Sequence, residues 1–264
     1  MKLLKRFRRS DDVEELPRQQ PGTANAPRPA ETLFVIGDIH GRRDLLEKCL
    51  EQIDSVIGEL SVTDPRLVFV GDYVDRGPDS RGVLLRLHEL SQNFPNHVNC
   101  LLGNHEQMLL DFLDAPVARQ ARWLRNGGAE TLASFGLSVP DDPGLVDGAV
   151  ELAQALRSQL GREIESWLQG LDVKHSSGNV HVVHAGIDPG RSIHNQLARI
   201  MVWGHPEFLS RERSDGQWIA HGHTIVPSPV FGKGRISVDT GAWKTDILTA
   251  AMVRKDGRVK FLGT

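Results

Sequence analysis

The 264-residue sequence predicts an α/β fold carried by parallel strands. Three observations predict it. Apolar runs of strand length end three times in a glycine-polar cluster that opens a helical pattern, a helix-rich stretch without strand signals then intervenes, and further apolar runs follow, ending in clusters that hold histidine or aspartate. Repeated strand-loop-helix units imply parallel strands joined by right-handed crossovers. Their loops then gather at one edge of the sheet, where open α/β sheets bind ligands.

Residues 1–30 begin with MKLLKRFRRS, continue through Asp11, Asp12, Glu14 and Glu15, and contain Pro17, Pro21, Pro27 and Pro29, the composition of a disordered tail and linker. No apolar stretch of signal-peptide length follows residues 1–10. That basic start reads as a solvated tail, or as a weak contact for an anionic membrane surface or a partner. A catalytic domain is expected over 31–264. It opens on Thr32, Leu33, Phe34, Val35 and Ile36, a strand running into Gly37-Asp38-Ile39-His40-Gly41, after which Leu45, Leu46, Leu50, Ile53 and Ile57 fall at helical spacing. Leu67, Val68, Phe69 and Val70 form a second strand closed by Gly71-Asp72-Tyr73-Val74-Asp75-Arg76-Gly77, and Val83, Leu84, Leu87 and Leu90 mark the helix behind it. The third unit runs from Val98 through Leu102 into Gly103-Asn104-His105-Glu106 and a short helix through Leu113.

Residues 115–170 read as helices alone, including one from Leu145 to Leu156, and are expected to form an insertion capping one side of the site. Strands resume at Val180, His181, Val182 and Val183, before His184-Ala185-Gly186, and at Trp218, Ile219 and Ala220, before His221-Gly222-His223-Thr224. Ile236, Ser237 and Val238 lead to Asp239, and the runs 248–253 and 259–262 flank Asp256-Gly257 as a hairpin.

Charge is balanced, with Lys+Arg at 31 against Asp+Glu at 34, so no global basic field points to nucleic acid. No apolar run approaches the roughly 18 to 20 residues of a membrane span. Cys49 and Cys100 lack a CxxC partner and read as reduced core residues of a cytoplasmic chain. The strand-end residues Asp38, His40, Asp72, Asp75, Asn104, His105, His184 and His223 are nearly all of metal-ligand type. Like charges about 4 Å apart cost on the order of 1 to 4 kcal/mol per pair, and Arg76 alone does not offset three carboxylates, which favours bound cations. Carboxylate, imidazole and amide oxygen suit Mn²⁺, Fe or Zn²⁺, and the donors suffice for two ions.

GDIHG, GDYVDRG, GNHE, VHAG and HGHT occur in this order between Asp38 and Thr224, and DTGAW extends the series to Trp243. On these motifs the sequence resembles the phosphoprotein-phosphatase branch of the calcineurin-like metallophosphoesterases, especially bacterial and phage-type protein Ser/Thr phosphatases. The resemblance implies a four-layer fold, two central sheets flanked by helices, with two metal ions at the sheet edge. It assigns Asp38 and His40 to one ion and Asn104, His184 and His223 to the other, with Asp72 bridging. His105 becomes the proton donor to the leaving alkoxide, Asp75 its orienting partner and Arg76 the phosphate clamp. The paired ions would lower the pKa of a shared water for in-line attack on phosphorus. His221 is expected to support a ligand and Asp239 to cap a turn or support a ligand histidine, neither binding metal, and Trp203, Trp218 and Trp243 to be core.

The chain departs from the pattern where bacterial relatives commonly read Trp-Ile-Arg: here the residues are Trp203-Gly204-His205. A second phosphate contact is then missing or moved, with Arg211, Arg213 or protonated His205 as substitutes. Ile225 also stands where proline often follows HGHT. The implied activity is metal-dependent phosphomonoester hydrolysis, first of all on protein phosphoserine or phosphothreonine, with a phosphoprotein or a small phosphorylated compound as the partner. Symmetrical diadenosine tetraphosphate hydrolases share the motifs, including the NGG-x-x-T-L stretch from Asn126 to Leu132, and form the alternative. A non-catalytic metal-bound scaffold would show lost ligands, and none is lost.

Overall fold

A computed structural model describes residues 26–139 and 146–264. In chain order it contains β1 (Thr32–Ile36), α1 (Arg43–Leu60), β2 (Pro65–Phe69), α2 (Ser80–Asn93), β3 (Val98–Cys100), α3 (Asn104–Asp114) and α4 (Pro116–Trp123). A π-helical turn (Leu124–Gly128), α5 (Ala129–Ser134), α6 (Val146–Gln169), β4 (Lys174–Ser177), β5 (Val180–Val183) and α7 (Ala198–Trp203) follow. The chain ends with β6 (Trp218–His221), β7 (Val230–Gly232), β8 (Arg235–Ser237), α8 (Ala242–Thr245), β9 (Thr249–Val253) and β10 (Val259–Gly263).

The strands form two five-stranded mixed sheets, ordered β10-β9-β1-β2-β3 and β4-β5-β6-β8-β7. The three strand-loop-helix units give parallel β1, β2 and β3, and the 256–257 turn closes an antiparallel β9–β10 hairpin. Period-two alternation divides the side chains of β1 between two cores. Leu33 and Val35 pack with Val68, Val180, Val182, Ala220 and Ile236 between the sheets, while Phe34 and Ile36 join Leu46, Ile53, Leu84, Leu109 and Leu156 beneath the helices. The outer face of the second sheet is covered by a smaller cluster of Val183, Ile187, Ile193, Met201, Phe208 and Ile219, so its helical layer is only the short α7 and neighbouring loops.

In α1, Leu45, Leu46, Cys49, Leu50, Ile53 and Val56 are buried along one face. Asp79 caps α2 by accepting the Gly82 N–H at 2.8 Å, and Pro116 starts α4, where its missing N–H costs nothing. α4, α5 and α6 pack on α2 and α3. α6 runs to Gln169 with a break at Gly161 (φ 79°), longer than the helix read from the sequence.

Residues 1–25, which hold most of the expected tail, lie outside the described residues. Residues 26–30, also assigned to that tail, are instead tied to the body. Asn179 Nδ2 donates to the Ala26 carbonyl at 3.1 Å and the Ala30 N–H donates to Ser177 Oγ at 2.8 Å, with Ala26 only 8% exposed. The packed fold therefore begins no later than Ala26 rather than at 31. Cys49 and Cys100 are free and buried, and burial raises both thiols, Cys49 to about 12. Among the described residues no helix is long and apolar enough to cross a membrane.

Candidate functional site

The carboxyl ends of β1, β2, β5 and β6, with the amino end of α3, present the strand-end residues to one another. Asp72, 2% exposed, is the hub. Its Oδ2 lies 3.6 Å from His40 Nε2 and 3.9 Å from His105 Nε2, and its Oδ1 lies 3.3 Å from His184 Nε2. Two groupings of metal-site size share it: Asp72 with His40 and His105, and Asp72 with His184 and His223. Asn104 Oδ1 sits within the second, 2.9 Å from His184 Nε2 and 2.7 Å from His223 Nδ1. Asp38 belongs to neither grouping; its carboxylate accepts the backbone N–H of His223 at 3.0 and 3.2 Å and keeps lone pairs for a cation.

The donor set fits divalent cations by its tautomers. His40 Nδ1 donates to the Val74 carbonyl at 2.8 Å and His184 Nδ1 donates to the Val70 carbonyl at 3.1 Å. A carbonyl can only accept, so both rings are left with an Nε2 lone pair aimed at the Asp72 side of the site. Burial lowers His40 to about 3 and His184 to about 4, and lowers His223 as well, which keeps the rings neutral and able to ligate. Burial opposes the charge on Asp72, yet the His184, His105 and His40 rings outweigh it and hold this carboxyl below its usual range. Asp38 is raised by burial and then by the nearby Asp239 and Asp72 charges.

His105 is arranged differently. Its Nδ1 donates to Asp75 Oδ2 at 2.6 Å, and its Nε2 faces the Arg76 guanidinium at 3.1 Å. Asp72 and Asp75 raise its pKa against the effect of burial. Asp75, wholly buried, also accepts from Trp123 Nε1 at 3.0 Å and Thr131 Oγ1 at 2.7 Å, and its own N–H donates to Ser80 Oγ and Thr131 Oγ1. Five of the non-glycine residues with positive φ, namely His40, Asp72, Asp75, Arg76 and His223, lie in this site. Such conformations persist where the surroundings impose them. One such constraint is Gly77, where any side chain would strike the His40 carbonyl.

Sequence reasoning missed Glu106, Trp123, Thr131 and the surroundings of Trp243. The Glu106 carboxylate accepts the N–H groups of Asp72, Tyr73, Val74 and Gly103 at 2.7–3.2 Å and is pushed up to about 8 by burial and then by Asp72. GNHE contains it, and a glutamate three residues after a loop glycine is a helix-start signal that could have found it. Trp243 is 37% exposed, with the Arg76 guanidinium 5.3 Å from its ring centre, so it is not core. Trp218 is buried and Trp203 partly so. His221 lies behind the cluster, held by Ser237 Oγ at 2.9 Å, and Asp239 accepts the Gly241 N–H at 2.8 Å in a turn.

Each candidate substitute for the missing clamp has a partner of its own. Arg211 pairs with Glu207 at 3.3 Å, Arg213 is held by Asp215 and the Arg191 carbonyl, and His205 Nδ1 accepts the Glu207 N–H at 3.2 Å.

Carboxylate, imidazole and amide oxygen gathered around one shared aspartate, beside an imidazole–carboxylate pair and a guanidinium, form a site with the donors for metal ions and for general acid–base chemistry. The chain belongs to the calcineurin-like phosphoesterase family, whose profile matches residues 32–227. It is 38% identical over 96 residues to serine/threonine-protein phosphatase 1 of Salmonella typhimurium, covering 36% of this chain and 38% of that protein. It is 34% identical over 158 residues to a symmetrical bis(5'-nucleosyl)-tetraphosphatase of Legionella pneumophila, covering 59% of this chain and 45% of that protein. The chain thus spans less than half the length of these relatives. In fold it is similar to a crystal structure described as a candidate diadenosine tetraphosphatase, at TM-score 0.58 and 22% identity over 89% of this chain and 94% of the other.

Proposed function

We propose that the chain is a metal-dependent phosphomonoesterase acting on phosphoserine or phosphothreonine in proteins. The observation that carries this reading is the Asp75–His105 pair, 2.6 Å apart, standing beside the Asp72 carboxylate that both metal-sized groupings share. Asp38 and His40 would hold one ion, Asn104, His184 and His223 the other, and Asp72 both. When bound, two such cations supply Lewis acidity and a water made nucleophilic near neutral pH. The side chains do the rest. Asp75 accepts the Nδ1–H of His105 and favours the imidazolium, whose Nε2–H would pass to the departing alkoxide, which leaves poorly without a proton, and the ring would be left as the neutral Nδ1–H tautomer. Arg76 offers a planar fork of donors to the phosphate oxygens. Asn104 contributes a neutral oxygen, which limits the negative charge that the phosphate meets.

A second reading, symmetrical hydrolysis of dinucleoside tetraphosphates, is favoured by the longer reach of the tetraphosphatase alignment, 158 residues against 96. A kinetic comparison of phosphopeptides and diadenosine tetraphosphate on one manganese-loaded preparation separates them. The phosphatase reading expects the higher kcat/KM on phosphopeptides, and preference for the dinucleotide overturns it.

A further inference from the structure

Asp75 is gripped by side chains that the helical stretch after α3 brings to it across the fold. We infer that Thr131, on α5, is a positioning residue for proton delivery by His105, its hydroxyl acting through Asp75 with Ser80 behind it. The role rests on the phosphoesterase reading above and names what aims the acid.

Donor and acceptor capacity settles where the hydroxyl protons lie. The Asp75 N–H points at two hydroxyl oxygens, Thr131 Oγ1 at 2.8 Å and Ser80 Oγ at 3.0 Å, so both oxygens serve it as acceptors. Thr131 donates its own proton to Asp75 Oδ1 at 2.7 Å, which leaves Ser80 to donate to Thr131 Oγ1 across 3.0 Å. The chain of hydroxyls therefore runs one way, from Ser80 through Thr131 to the carboxylate. Trp123 Nε1 donates to the same Oδ1 at 3.0 Å, and His105 Nδ1 donates to Oδ2 at 2.6 Å. Each of these partners is a donor, an arrangement that suits the anion and turns Oδ2 toward the ring. Asp75, Ser80 and Thr131 are all fully buried, so no bulk water replaces a hydroxyl that is removed.

The backbone around Thr131 is fitted to the same loop. Asp75 and Arg76 both adopt left-handed conformations, φ 72° and 68°, which the surroundings must impose. The π-helical turn just before α5 meets them closely: the Gly127 carbonyl accepts the Arg76 N–H at 3.2 Å, and a Cβ on Gly127 would fall 2.6 Å from that nitrogen. On its far side α5 is fastened to α2, where the Arg81 N–H donates to Ser134 Oγ at 3.1 Å and Ser134 Oγ donates to the Thr131 carbonyl at 2.7 Å. A segment serving only to staple α5 to α2 would need the Ser134 contacts but not the Thr131 hydroxyl. The two roles therefore separate by side chain.

The test uses the full chain loaded with Mn²⁺ and phosphomonoesters whose leaving groups range from nitrophenol to a simple alcohol. Thr131→Val removes the hydroxyl and should lower kcat about 10-fold or more on the alkyl ester but less than about 3-fold on the nitrophenyl ester, with KM within about 3-fold on both. Thr131→Ser, which restores the hydroxyl, should return the alkyl ester rate to within about 3-fold of wild type. Ser134→Ala cuts the staple and should leave both rates within about 2-fold, whatever happens to Tm. Proton NMR of the Zn²⁺-loaded chain gives a readout that needs no turnover. The His105 Nδ1–H, assigned by its loss in His105→Asn, should resonate far downfield, move in Thr131→Val and return in Thr131→Ser. Should Thr131→Val fail to fold, Ser80→Ala removes the next hydroxyl of the chain and carries the same readouts. Equal loss across leaving groups, no loss at all, or an unmoved resonance in the folded variant overturns the inference and leaves Thr131 a packing residue. If the wild type hydrolyses none of the esters, the enzymatic reading fails, while the resonance still decides whether Thr131 positions the Asp75–His105 pair.

Discussion

Glu106 Oε2 accepts the backbone N–H of Asp72 at 2.8 Å, at the point where the chain turns into a left-handed conformation (φ 53°) to aim the Asp72 carboxylate into the site. The same side chain takes the N–H groups of Tyr73, Val74 and Gly103, so one buried carboxylate fixes the loop after β2 against the start of α3. Glu106→Gln turns an NH₂ group toward these donors, and Glu106→Ala leaves them unsatisfied in the interior. The alanine variant should lose on the order of 3 kcal/mol or more of stability, read from chemical denaturation. Both variants should bind Mn²⁺ about 10- to 100-fold more weakly, although Glu106 is not itself in reach of a metal. Unaltered Mn²⁺ affinity in a folded Glu106→Gln protein would show that Asp72 holds its position unaided.

The difference between what was legible and what was not follows from chain distance. Each parallel strand and its loop are local, so alternating or continuous apolar residues closed by Gly71 or Gly103 announce them. β4 escapes because Lys174-His175-Ser176-Ser177 pairs at a sheet edge with polar side chains and carries no apolar signal. Residue types at strand ends brought Asp38, Asp72, His184 and His223 into one list. The Trp123 and Thr131 contacts to Asp75 span 48 and 56 residues, and no spacing rule connects them. Trp243 misled for a related reason: large aromatics are buried on average, and only the path of α8 leaves this one beside Arg76.

A proton donor has a distinctive kinetic signature. His105→Asn should lower kcat by roughly 10² to 10⁴, with least effect on substrates whose leaving groups are already acidic. Trp123→Phe, which removes one donor to Asp75 and keeps the stack on Phe112, should follow the same leaving-group trend at about a tenth to a third of wild-type kcat. Equal losses across leaving groups would argue against acid catalysis by this pair.

Two ligand groupings that share Asp72 should fail together. Chelation should abolish aryl phosphate hydrolysis, and added Mn²⁺ should restore it. Asp72→Asn removes the charge that both groupings share, so it should weaken Mn²⁺ binding at both sites, seen as loss of high-affinity binding in calorimetry. Full turnover in a sample verified as metal-free would sink the metal-dependent reading.

Arg76 stands between two side chains that tell its role apart from that of a structural arginine. Its guanidinium touches His105 Nε2 at 3.1 Å on one side and lies 5.3 Å from the exposed Trp243 ring on the other, and among the described residues the nearby Asp239 charge acts on it without a direct ion pair. Under the proposed function, a cation held at Nε2 of His105 would receive the phosphate oxygens and release that atom as they arrive. Arg76→Ala should therefore raise KM by about 10- to 100-fold and lower kcat as well, because substrate orientation and His105 are both disturbed. Arg76→Lys should recover charge but not the bidentate fork, restoring KM only in part.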